Sequence, residues 1–428
     1  MRIVYIHQHY SVPQGQYGGR PHETAKRLAA RGHDVHLVSA TSDPASPSVE
    51  RVGDVHVHWV PVEYSNHMGY SERILAFARF AVKASMVARR IRGDVVLASS
   101  TPLTTIIPGF AATAFRGKPL VFEVRDLWPD APIAMGALNN PLLRAAAHSL
   151  ERFAYAVSAH VIALSPGMAE GVLRNGGRVG QVTVVPNASD NEFFTVPEER
   201  GRSWRAAHPE IGYGPLVLYG GTLGKVNDVG YLASVAGEMA AIDPDVRFVV
   251  VGSGNDEAQV RERAESLGVL DRTFFMLPPV DKNEMADVFS AADVSISTVA
   301  PIKALNANSA NKVFDTLAAA RPLAVNHEGW LADMIRATRC GVVLPQSDYR
   351  AAAEELASLL RDSGRLHSAR TQAKHLATTV FDRDRLVAKV ANVLESVGAG
   401  RRPTTAAHLE LELANEPPQS SPSSIPHV

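Results

Sequence analysis

Short β-branched segments alternate with helical patterns along most of the chain. In the first half, apolar segments of three or four residues recur at 3–6, 35–38, 95–97, 120–122 and 161–164. Between them, apolar residues return every three or four positions, as in Ala25, Leu28 and Ala29. A strand followed by a helix, repeated in this way, predicts a parallel, doubly wound sheet.

The same pattern starts again after residue 214, with apolar segments at 216–219, 248–251, 274–277, 294–296 and 323–325. This repetition predicts a second α/β domain of the same class. Residues 192–209 lie between the two patterns and combine Pro197, Gly201 and Pro209 with a cluster of charges. Because such a composition favours an exposed connection, we place an interdomain linker at 191–214.

Helical spacing returns after Tyr349 and continues to Leu394, which predicts closing helices. Beyond about Arg401 the chain is rich in Pro, Ser and Thr and poor in apolar residues, which predicts a disordered tail. The predicted order is a first domain, the linker, a second domain, closing helices and the tail, at 1–190, 191–214, 215–376, 377–400 and 401–428.

Composition excludes several classes of protein. The 428 residues include 43 Lys and Arg against 44 Asp and Glu, and this balance argues against a nucleic-acid partner. The single cysteine, Cys340, excludes an internal disulfide, and no apolar segment approaches the roughly 18 residues that span a bilayer. Because the N-terminus lacks the pattern of a signal peptide, the cytoplasm is the expected compartment.

A glycine-containing turn follows the first predicted strand. Gly15, Gly18 and Gly19 stand between His9 and the first predicted helix. Glycines before a helix N-terminus let backbone N–H groups approach an anion, at the sheet edge where α/β proteins bind ligands. An ordinary strand-to-helix turn is the alternative. No Cys or acid stands beside His7 and His9 to complete a metal site, so we expect one packed and one cleft-facing histidine.

A second glycine-containing turn, from Tyr219 to Lys225, follows the first predicted strand of the second domain. It is not a P-loop, because Tyr219 and Val226 stand where that motif needs Gly and Ser or Thr. The run 252–257 likewise lacks the third glycine of the dinucleotide fingerprint. Both are interpreted as turns that tolerate phosphate, with Lys225 as a candidate for neutralising a diphosphate.

Charged residues come directly after the predicted strand at 120–122. Charges at the end of a buried strand are costly unless they are paired or used. Arg125 and Asp126 can form a buried ion pair, which would be structural. Alternatively, Asp126 faces the cleft and accepts a hydrogen bond or a proton from a substrate hydroxyl.

Ligand-binding residue types also precede a helix of the second domain. Ser309 can cap that helix, whose free N–H groups can bind phosphate together with Lys312. Asp315 lies one turn later on the same face and can bind a ribose diol. An exposed ion pair between Lys312 and Asp315 is the alternative. Paired acids elsewhere lie in turns or at helix starts, so we expect no required metal ion.

Residues 71–92 predict a basic amphipathic helix. Six Lys or Arg residues accompany its apolar positions Ile74, Phe77, Ala81, Ala84 and Ala88. Such a helix can lie on an anionic membrane surface, here the inner face of the cell membrane. The alternative is that the apolar stripe packs against the sheet while the charges face solvent.

Taken in order, these and other motifs resemble a known family. The series runs through His7-Gln8-His9-Tyr10, Gly18-Gly19-Arg20, Tyr64-Ser65-Asn66-His67-Met68, Glu123-Val124-Arg125-Asp126-Leu127-Trp128-Pro129, Val185-Pro186-Asn187, Gly221-Thr222-Leu223-Gly224 and Asn311-Lys312-Val313-Phe314-Asp315. Over residues 1–399 the chain is similar to the retaining glycosyltransferases of the GT-B fold, in the sucrose-synthase-like family. Within that family it most resembles bacterial fucosaminyltransferase-like enzymes of surface-polysaccharide assembly.

This resemblance implies an α/β fold of the GT-B type, in which two Rossmann-like domains with parallel sheets face each other across a cleft. The closing helices would return towards the first domain. The implied reaction transfers a sugar from a nucleoside diphosphate, expected to be UDP, to a hydroxyl acceptor with retention at the anomeric carbon. An N-acetylated amino sugar is one candidate donor sugar, a lipid-linked molecule is one candidate acceptor, and no cofactor is expected.

The resemblance also assigns residues to the two substrates. Donor binding is expected from Gly19, Gly221, Thr222, Lys225, Ser309, Asn311, Lys312 and Asp315. The acceptor side is expected to include His9, Gly18, Asn66 and Arg125, and Asp126 is the candidate catalytic residue.

The chain departs from the family pattern at the donor site. The family carries two glutamates eight residues apart, and the corresponding residues here are Ala307 and Asp315. It also pairs Arg with Lys on the diphosphate, and this chain has neither there, so Lys225 or Lys312 would have to replace them. Two other functions stay open: a nucleotide-sugar 2-epimerase, and a sugar-nucleotide-binding protein without catalysis.

Overall fold

The computed structural model describes residues 1–13, 18–65, 68–136, 138–188 and 190–404. Gly15, Asn66 and the part of the predicted tail from residue 405 lie outside the described residues. The described chain forms two α/β domains, each with a sheet between layers of helices. The predicted fold class, two Rossmann-like domains with parallel sheets, is confirmed.

In the described part of the chain, the sheet of the first domain has eight strands. They are β1 (Arg2–Ile6), β2 (Asp34–Thr41), β3 (Val49–Val52), β4 (Val55–Pro61), β5 (Val95–Ser99), β6 (Leu120–Val124), β7 (His160–Ala163) and β8 (Val182–Val184). Their order is β3-β4-β2-β1-β5-β6-β7-β8, and every pair is parallel except β3 with β4. The apolar pattern did not predict β3 and β4, because β3 is a short edge strand whose central residues are charged.

The second sheet has six strands among the described residues, all parallel. They are β9 (Leu216–Gly220), β10 (Arg247–Val251), β11 (Phe274–Leu277), β12 (Val294–Ser297), β13 (Leu323–Val325) and β14 (Gly341–Val343). The order is β11-β10-β9-β12-β13-β14, so the strand order reverses at β9, as it does at β1 in the first sheet. Ligand crevices in open α/β sheets form outside the carboxyl ends of strands at such a reversal.

Helices connect the strands and cover both faces of each sheet. They are α1 (Arg20–Ala30), α2 (Tyr70–Ile91), α3 (Ile106–Thr113), α4 (Asp130–Ala134), α5 (Pro141–Val157), α6 (Pro166–Arg174), α7 (Asn191–Phe194), α8 (Glu198–Ala207), α9 (Gly230–Ile242), α10 (Glu257–Ser266), α11 (Lys282–Ala291), α12 (Asn311–Ala318), α13 (Trp330–Thr338), α14 (Tyr349–Arg361), α15 (Ser363–Thr378) and α16 (Arg383–Gly398).

Strand β1 shows why its sequence is continuously apolar. Ile3 and Tyr5 belong to the core that includes α1 and α16, whereas Val4 and Ile6 belong to the core beneath α2. All four side chains are fully buried. A strand that is covered on both faces needs apolar residues at every position, and this requirement makes the central strands easy to predict.

The segment 191–214 is not the exposed connection that its composition suggested. It contains α7 and α8, and Phe194, Trp204 and Ile211 are buried in the core of the second domain. Gly201 lies so close to α11 that an added Cβ would stand 2.5 Å from the carbonyl carbon of Ser290. The charged residues occupy the exposed outer face of α8, so the segment is packed on the second domain by one side and exposed on the other.

The last two helices belong to different domains. In α15, Ala373 and Leu376 pack into the core of the second domain. In α16, Leu386, Val390 and Leu394 pack into the core of the first domain beside β1. The chain therefore crosses back between α15 and α16.

The structure decides in part between the two interpretations of the apolar stripe on α2, which were contact with a membrane and packing against the sheet. Ala81, Ala84 and Ala88 are buried, the last two in the core beside the sheet, so this part of the stripe is not free to meet a membrane. Ile74, which was assigned to the same stripe, is exposed. No helix in the described residues is long and apolar enough to span a bilayer.

Candidate functional site

Two cavities lie at the carboxyl ends of the strands. The second-domain cavity, of about 380 Å³, is bounded by the turns after β9 and β10, residues 279–280 and the first turn of α12. The interdomain cavity, of about 360 Å³, lies between the ends of β1, β5 and β6 and the segment 308–311 that leads into α12. Helix α12 thus begins where the two cavities meet, with Lys312 in the lining of one and Asn311 in that of the other.

The wall of the second-domain cavity is made largely of backbone. Gly221 and Gly252 both have positive φ, at 146° and 153°. An added Cβ on Gly252 would stand 1.9 Å from the carbonyl oxygen of Gly221, so the two turns can approach only as glycines. Gly221 and Thr222, both predicted donor residues, line this cavity.

Lys312 is the basic side chain of the second-domain cavity. Its Nζ donates hydrogen bonds to Tyr219 Oη at 2.8 Å and to Asn227 Oδ1 at 3.3 Å, and it lies 4.0 Å from the centre of the Tyr219 ring. No carboxylate of the described residues forms an ion pair with it, so the predicted alternative of an exposed pair with Asp315 is wrong. Burial lowers the pKa of Lys312 to about 7.

The other predicted donor residues differ in position. Asp315 lines the second-domain cavity, as a ribose ligand should. Lys225 is exposed and is absent from the lining of both cavities. Ser309 does not cap α12, because the N-cap residue is Ala310 and no side chain accepts from the first N–H groups. The Ser309 hydroxyl is buried without a partner among the described residues and lines the interdomain cavity.

Two side chains of the first domain hold the segment before α12. Ser165 Oγ donates to the carbonyl oxygen of Ala307 at 2.7 Å, and Asn187 Nδ2 donates to that of Ser309 at 2.6 Å. An added Cβ on Gly167 would stand 3.0 Å from the Ala307 methyl group. The position that carries the first glutamate in the resembled family is therefore a contact between the domains in this chain.

Asp126 lies open to the interdomain cavity and accepts a hydrogen bond from Thr101 Oγ1 at 2.7 Å. Desolvation by the walls of the cleft raises the pKa of the carboxyl, against the opposing effects of Thr101 and Arg125. The guanidinium of Arg125 points elsewhere, to His7 Nε2 at 3.3 Å. The predicted alternative of an Arg125–Asp126 ion pair is therefore wrong, and Asp126 is available to a ligand.

The buried ion pair of this region joins Arg20 and Glu123. Arg20 donates twice to Glu123 Oε1, at 2.8 and 3.0 Å, and to the carbonyl oxygens of Val185 and Pro186. Ser99 Oγ donates to the other oxygen of Glu123 at 2.6 Å. Burial alone would raise the pKa of Glu123, but the nearby guanidinium of Arg20 holds it below its ordinary value.

The glycine-containing turn of the first domain leads directly into α1. Gly19 is the N-cap residue, and the backbone N–H of Gly18 donates to Glu23 Oε1 at 2.8 Å. Neither glycine is in the lining of the two cavities, whose residues are all among those described.

His7 is buried and His9 is exposed, which is the predicted arrangement of one packed and one cleft-facing histidine. The His9 ring contacts Tyr64, with ring centres 4.5 Å apart. Partial desolvation of the ring by the walls of the cleft, with a smaller effect from Arg125, lowers the pKa of His9 to about 4, so the ring is neutral at physiological pH. Among the described residues, no group of three or more His, Cys, Asp or Glu is arranged to hold a metal ion.

The candidate site residues did not include several side chains that line it. Thr101, Asn187 and Asn308 line the interdomain cavity, and Ser253 lines the second-domain cavity. Thr101 and Ser253 each lie two residues beyond the end of a strand. The rule that ligands bind at these ends could have found both from the sequence.

Two protein-family models match the chain. Residues 18–188 match the family described as "Glycosyl transferase 4-like domain", and residues 202–376 match "Glycosyl transferases group 1". Together these matches cover most of both domains and include the lining residues of both cavities except His7 and His9.

Individual proteins resemble the chain more distantly. A D-inositol 3-phosphate glycosyltransferase from Xylanimonas cellulosilytica is 25% identical over 80% of this chain and 82% of its own length. A putative colanic acid biosynthesis glycosyl transferase, WcaI of Escherichia coli K12, is 23% identical over 66% of this chain and 73% of its own. The structure of Anabaena HepE in complex with UDP superposes with a TM-score of 0.69 at 15% identity, covering 92% of this chain and 100% of HepE.

Proposed function

Because the chain belongs to the group 1 glycosyltransferases of the GT-B fold, which use nucleotide-sugar donors, we propose that its donor is a UDP-sugar. It transfers the sugar to a hydroxyl acceptor with retention at the anomeric carbon and without a metal ion. The observation that carries this proposal is Lys312, an ammonium without a carboxylate partner in the described residues. It lies in the wall of a cavity beside the uncapped N-terminus of α12. A lysine and a helix N-terminus together form a site for a diphosphate.

The two cavities suit the two ends of such a donor. The nucleoside would occupy the second-domain cavity, with Asp315 accepting from the ribose hydroxyls. The diphosphate would lie against Lys312 and the N–H groups of α12, and the sugar would extend into the interdomain cavity. The complex of HepE with UDP supports the choice of uridine.

The chemistry proposed for the interdomain cavity needs little from a protein base. The acceptor oxygen forms a bond to the anomeric carbon while the bond to the diphosphate oxygen breaks, and that oxygen takes the acceptor proton on the same face. Negative charge grows on the leaving diphosphate, so Lys312 and α12 stabilise the transition state. Asp126 would hold the acceptor hydroxyl in line, as the free oxygens of its carboxylate permit.

The donor sugar would meet amides and hydroxyls rather than a carboxylate of the second domain. Asn187 Oδ1 and Ser309 Oγ are buried without partners among the described residues, and Asn311 lies beside them. Buried polar atoms need partners, and the hydroxyl and acetamido groups of a sugar supply both donors and acceptors. This lining supports an N-acetylated amino sugar, as in the fucosaminyltransferase-like enzymes that the sequence resembles.

The acceptor is proposed to be part of a surface glycan carried on a lipid. The resemblance to WcaI supports a role in surface polysaccharide. Helix α2 exposes Leu75, Val82 and Met86 among the basic residues Arg79 and Lys83. An exposed apolar strip with flanking cations fits a peripheral contact with an anionic membrane.

Calorimetry and turnover assays test this function. UDP, GDP and ADP are titrated into the protein, and UDP is expected to bind most tightly. UDP-sugars are then assayed for UDP release with and without a bacterial lipid extract. Release that depends on the extract, with the anomeric configuration of the donor kept in the product, supports the proposal. Conversion of the donor alone would indicate an epimerase, and tight binding without turnover would indicate a non-catalytic binding protein.

A further inference from the structure

The empty second-domain cavity is an unfavourable place for a protonated Lys312. The side chain is partly buried, and its Cε and Nζ pack against Gly221, 3.2 and 3.3 Å from the place of an added Cβ. Lys312 also belongs to the first turn of α12, the end at which the helix dipole is positive. Both conditions favour the neutral amine over the charged form.

The groups that face Lys312 do not restore the missing stabilisation. From β9, Tyr219 presents a neutral phenol whose own pKa is raised by burial, and its hydroxyl already donates to the carbonyl of Thr222. From the turn after β9, Asn227 presents an uncharged amide oxygen. Asp315 lies on the same helix one turn later, and burial remains the cause of the lowered pKa of Lys312.

A nucleoside diphosphate would reverse this balance. Its oxygens would provide negative charge at short range and accept the third N–H donor of the ammonium, which Tyr219 and Asn227 leave unused. An opposite charge within about 4–6 Å favours the charged form of a lysine. The ligand therefore stabilises the one protonation state that the empty cavity disfavours.

We propose that Lys312 takes up a proton from solvent when a nucleoside diphosphate enters the second-domain cavity, so that donor binding and proton binding are coupled. The inference rests on the proposed function, because it needs the diphosphate to lie against Lys312. It adds a property that the function does not require, since a permanently charged side chain could bind the same group. No covalent bond changes: the neutral amine gains one proton and the buffer loses it.

The experiment is calorimetric titration with UDP at pH 8 in HEPES and in Tris, whose ionisation enthalpies differ. At this pH the phosphates of UDP are already ionised, because the second pKa of a phosphate is about 6. The wild-type protein is expected to take up close to one proton per UDP. This uptake is measured from the difference in binding enthalpy between the two buffers. The dissociation constant is expected to rise by up to about tenfold for each pH unit above 7, as the protonated fraction of Lys312 falls.

Three variants isolate the effect. Lys312→Arg keeps a permanent charge and is expected to bind UDP with no proton uptake and a flat dependence on pH. Lys312→Met removes the charge without placing a larger guanidinium in the cavity. It is expected to bind UDP more weakly and also without proton uptake. Lys225→Gln removes an exposed lysine of the neighbouring turn, which lines neither cavity, and is expected to keep the full uptake.

The outcomes separate the inference from the function on which it rests. UDP binding with no proton uptake in the wild type overturns the coupling and leaves the glycosyltransferase proposal intact. Uptake that persists in Lys312→Met assigns the proton to another group and also overturns the inference. Failure of the wild type to bind UDP, GDP or ADP overturns both.

Discussion

Arg20 and Lys312 are two cations withdrawn from bulk solvent at the first turns of helices, and their surroundings differ in one respect. Arg20 is paired with Glu123, whose second oxygen is held by Ser99, so that its charge is balanced inside the first domain. Lys312 has an aromatic ring and two neutral oxygens, and no carboxylate among the described residues. The first environment is complete without a ligand, and the second is not.

This difference separates structural charge from binding charge. The Arg20 guanidinium also donates to the carbonyl oxygens of Val185 and Pro186, and it thereby ties β6 to the chain that leads out of the first domain. Removing one partner of such a pair leaves an uncompensated charge. Removing Lys312 leaves no such charge, because nothing in the empty protein balances it.

The largest expected effect follows from breaking the buried pair. Glu123→Gln is expected to lower the free energy of unfolding by about 3–5 kcal/mol, because it leaves Arg20 charged and without its carboxylate. Lys312→Met is expected to leave the stability of the empty protein unchanged or to raise it. Thermal and urea unfolding of both variants measure the two effects. If Lys312→Met is as destabilising as Glu123→Gln, the two cations do not differ in the way the structure indicates.

The double variant Arg20→Met with Glu123→Leu is the control for this prediction. It removes both charges and fills the space with apolar atoms, so it is expected to be more stable than Glu123→Gln. A double variant that is less stable than the single one would mean that packing, rather than charge balance, holds this region together.

Stability is expected to rise with pH at both sites, but in different pH ranges. Lys312 has a pKa of about 7 in the folded protein and an ordinary value of 10.5, so above pH 7 the unfolded chain binds more protons and stability rises with pH. Glu123 has a lowered pKa in the folded protein, so its contribution is present above its ordinary value of 4.5 and is lost as the pH falls. Urea unfolding from about pH 2 to pH 9 covers both ranges and measures both slopes. Lys312→Met should abolish the rise above pH 7, and Glu123→Gln should reduce the loss at acid pH.

A change at Asp126 sharpens the comparison within the cleft. Asp126→Asn keeps the size of the side chain and removes its charge, and turnover is expected to fall by about a hundredfold if the carboxylate orients the reacting hydroxyl. The dissociation constant for UDP and the unfolding temperature should stay near those of the wild type. Unchanged specific activity in a destabilised variant would instead make Asp126 a structural residue held by Thr101.

The fold was predictable where the sequence pattern is unambiguous. The central strands β1, β5 and β9 are apolar at successive positions, because both of their faces are buried. The hairpin of β3 and β4 was not predicted, since its exposed edge carries Glu50 and Arg51. The packing of helix α8 was not predicted, because charged residues dominate its sequence and its buried residues are Gly201 and Trp204.

The site was predictable to the extent that it follows local motifs. Lys312 and Asp315 lie in the first two turns of α12, one turn apart, and both line the second-domain cavity. From the sequence, Lys225 was an equally good candidate for binding the diphosphate, but in the structure its side chain is exposed. Arg20 with Glu123 could not be predicted, because their 103-residue separation closes only when the sheet has formed. The same holds for Asn187, whose partner Ser309 belongs to the other domain.

Asp315 offers a smaller test of the second-domain cavity. Asp315→Ala is expected to weaken UDP binding by roughly ten- to a hundredfold, because the ribose hydroxyls lose an acceptor worth about 1.5–3 kcal/mol. Asp315→Glu keeps an acceptor and is expected to weaken binding less. Calorimetry with UDP measures both variants. Equal affinity of the wild type and the Ala variant would remove Asp315 from the site.

The smallest effects for a single side chain are expected on α2, where cations without acid partners face solvent. Arg79 and Lys83 form no ion pair with a carboxylate of the described residues, and Val82 and Met86 lie exposed beside them. Each basic residue near an anionic membrane contributes about 1 kcal/mol, and this attraction weakens with salt. Co-sedimentation with liposomes, with and without anionic lipid, is therefore expected to need the anionic lipid and to fall at high salt.

Two double variants of α2 separate the contribution of its charges to membrane binding from that of its apolar side chains. Arg79→Gln with Lys83→Gln is expected to reduce sedimentation on anionic liposomes, and Val82→Ser with Met86→Ser to reduce it further, while UDP binding stays unchanged. Arg116→Gln, at an exposed position away from α2, is the matched control and should sediment like the wild type. Failure of the wild type to sediment at low salt would mean that the acceptor reaches the interdomain cavity from solution. The cations of α2 that lack a carboxylate partner would then bind no ligand, unlike Lys312.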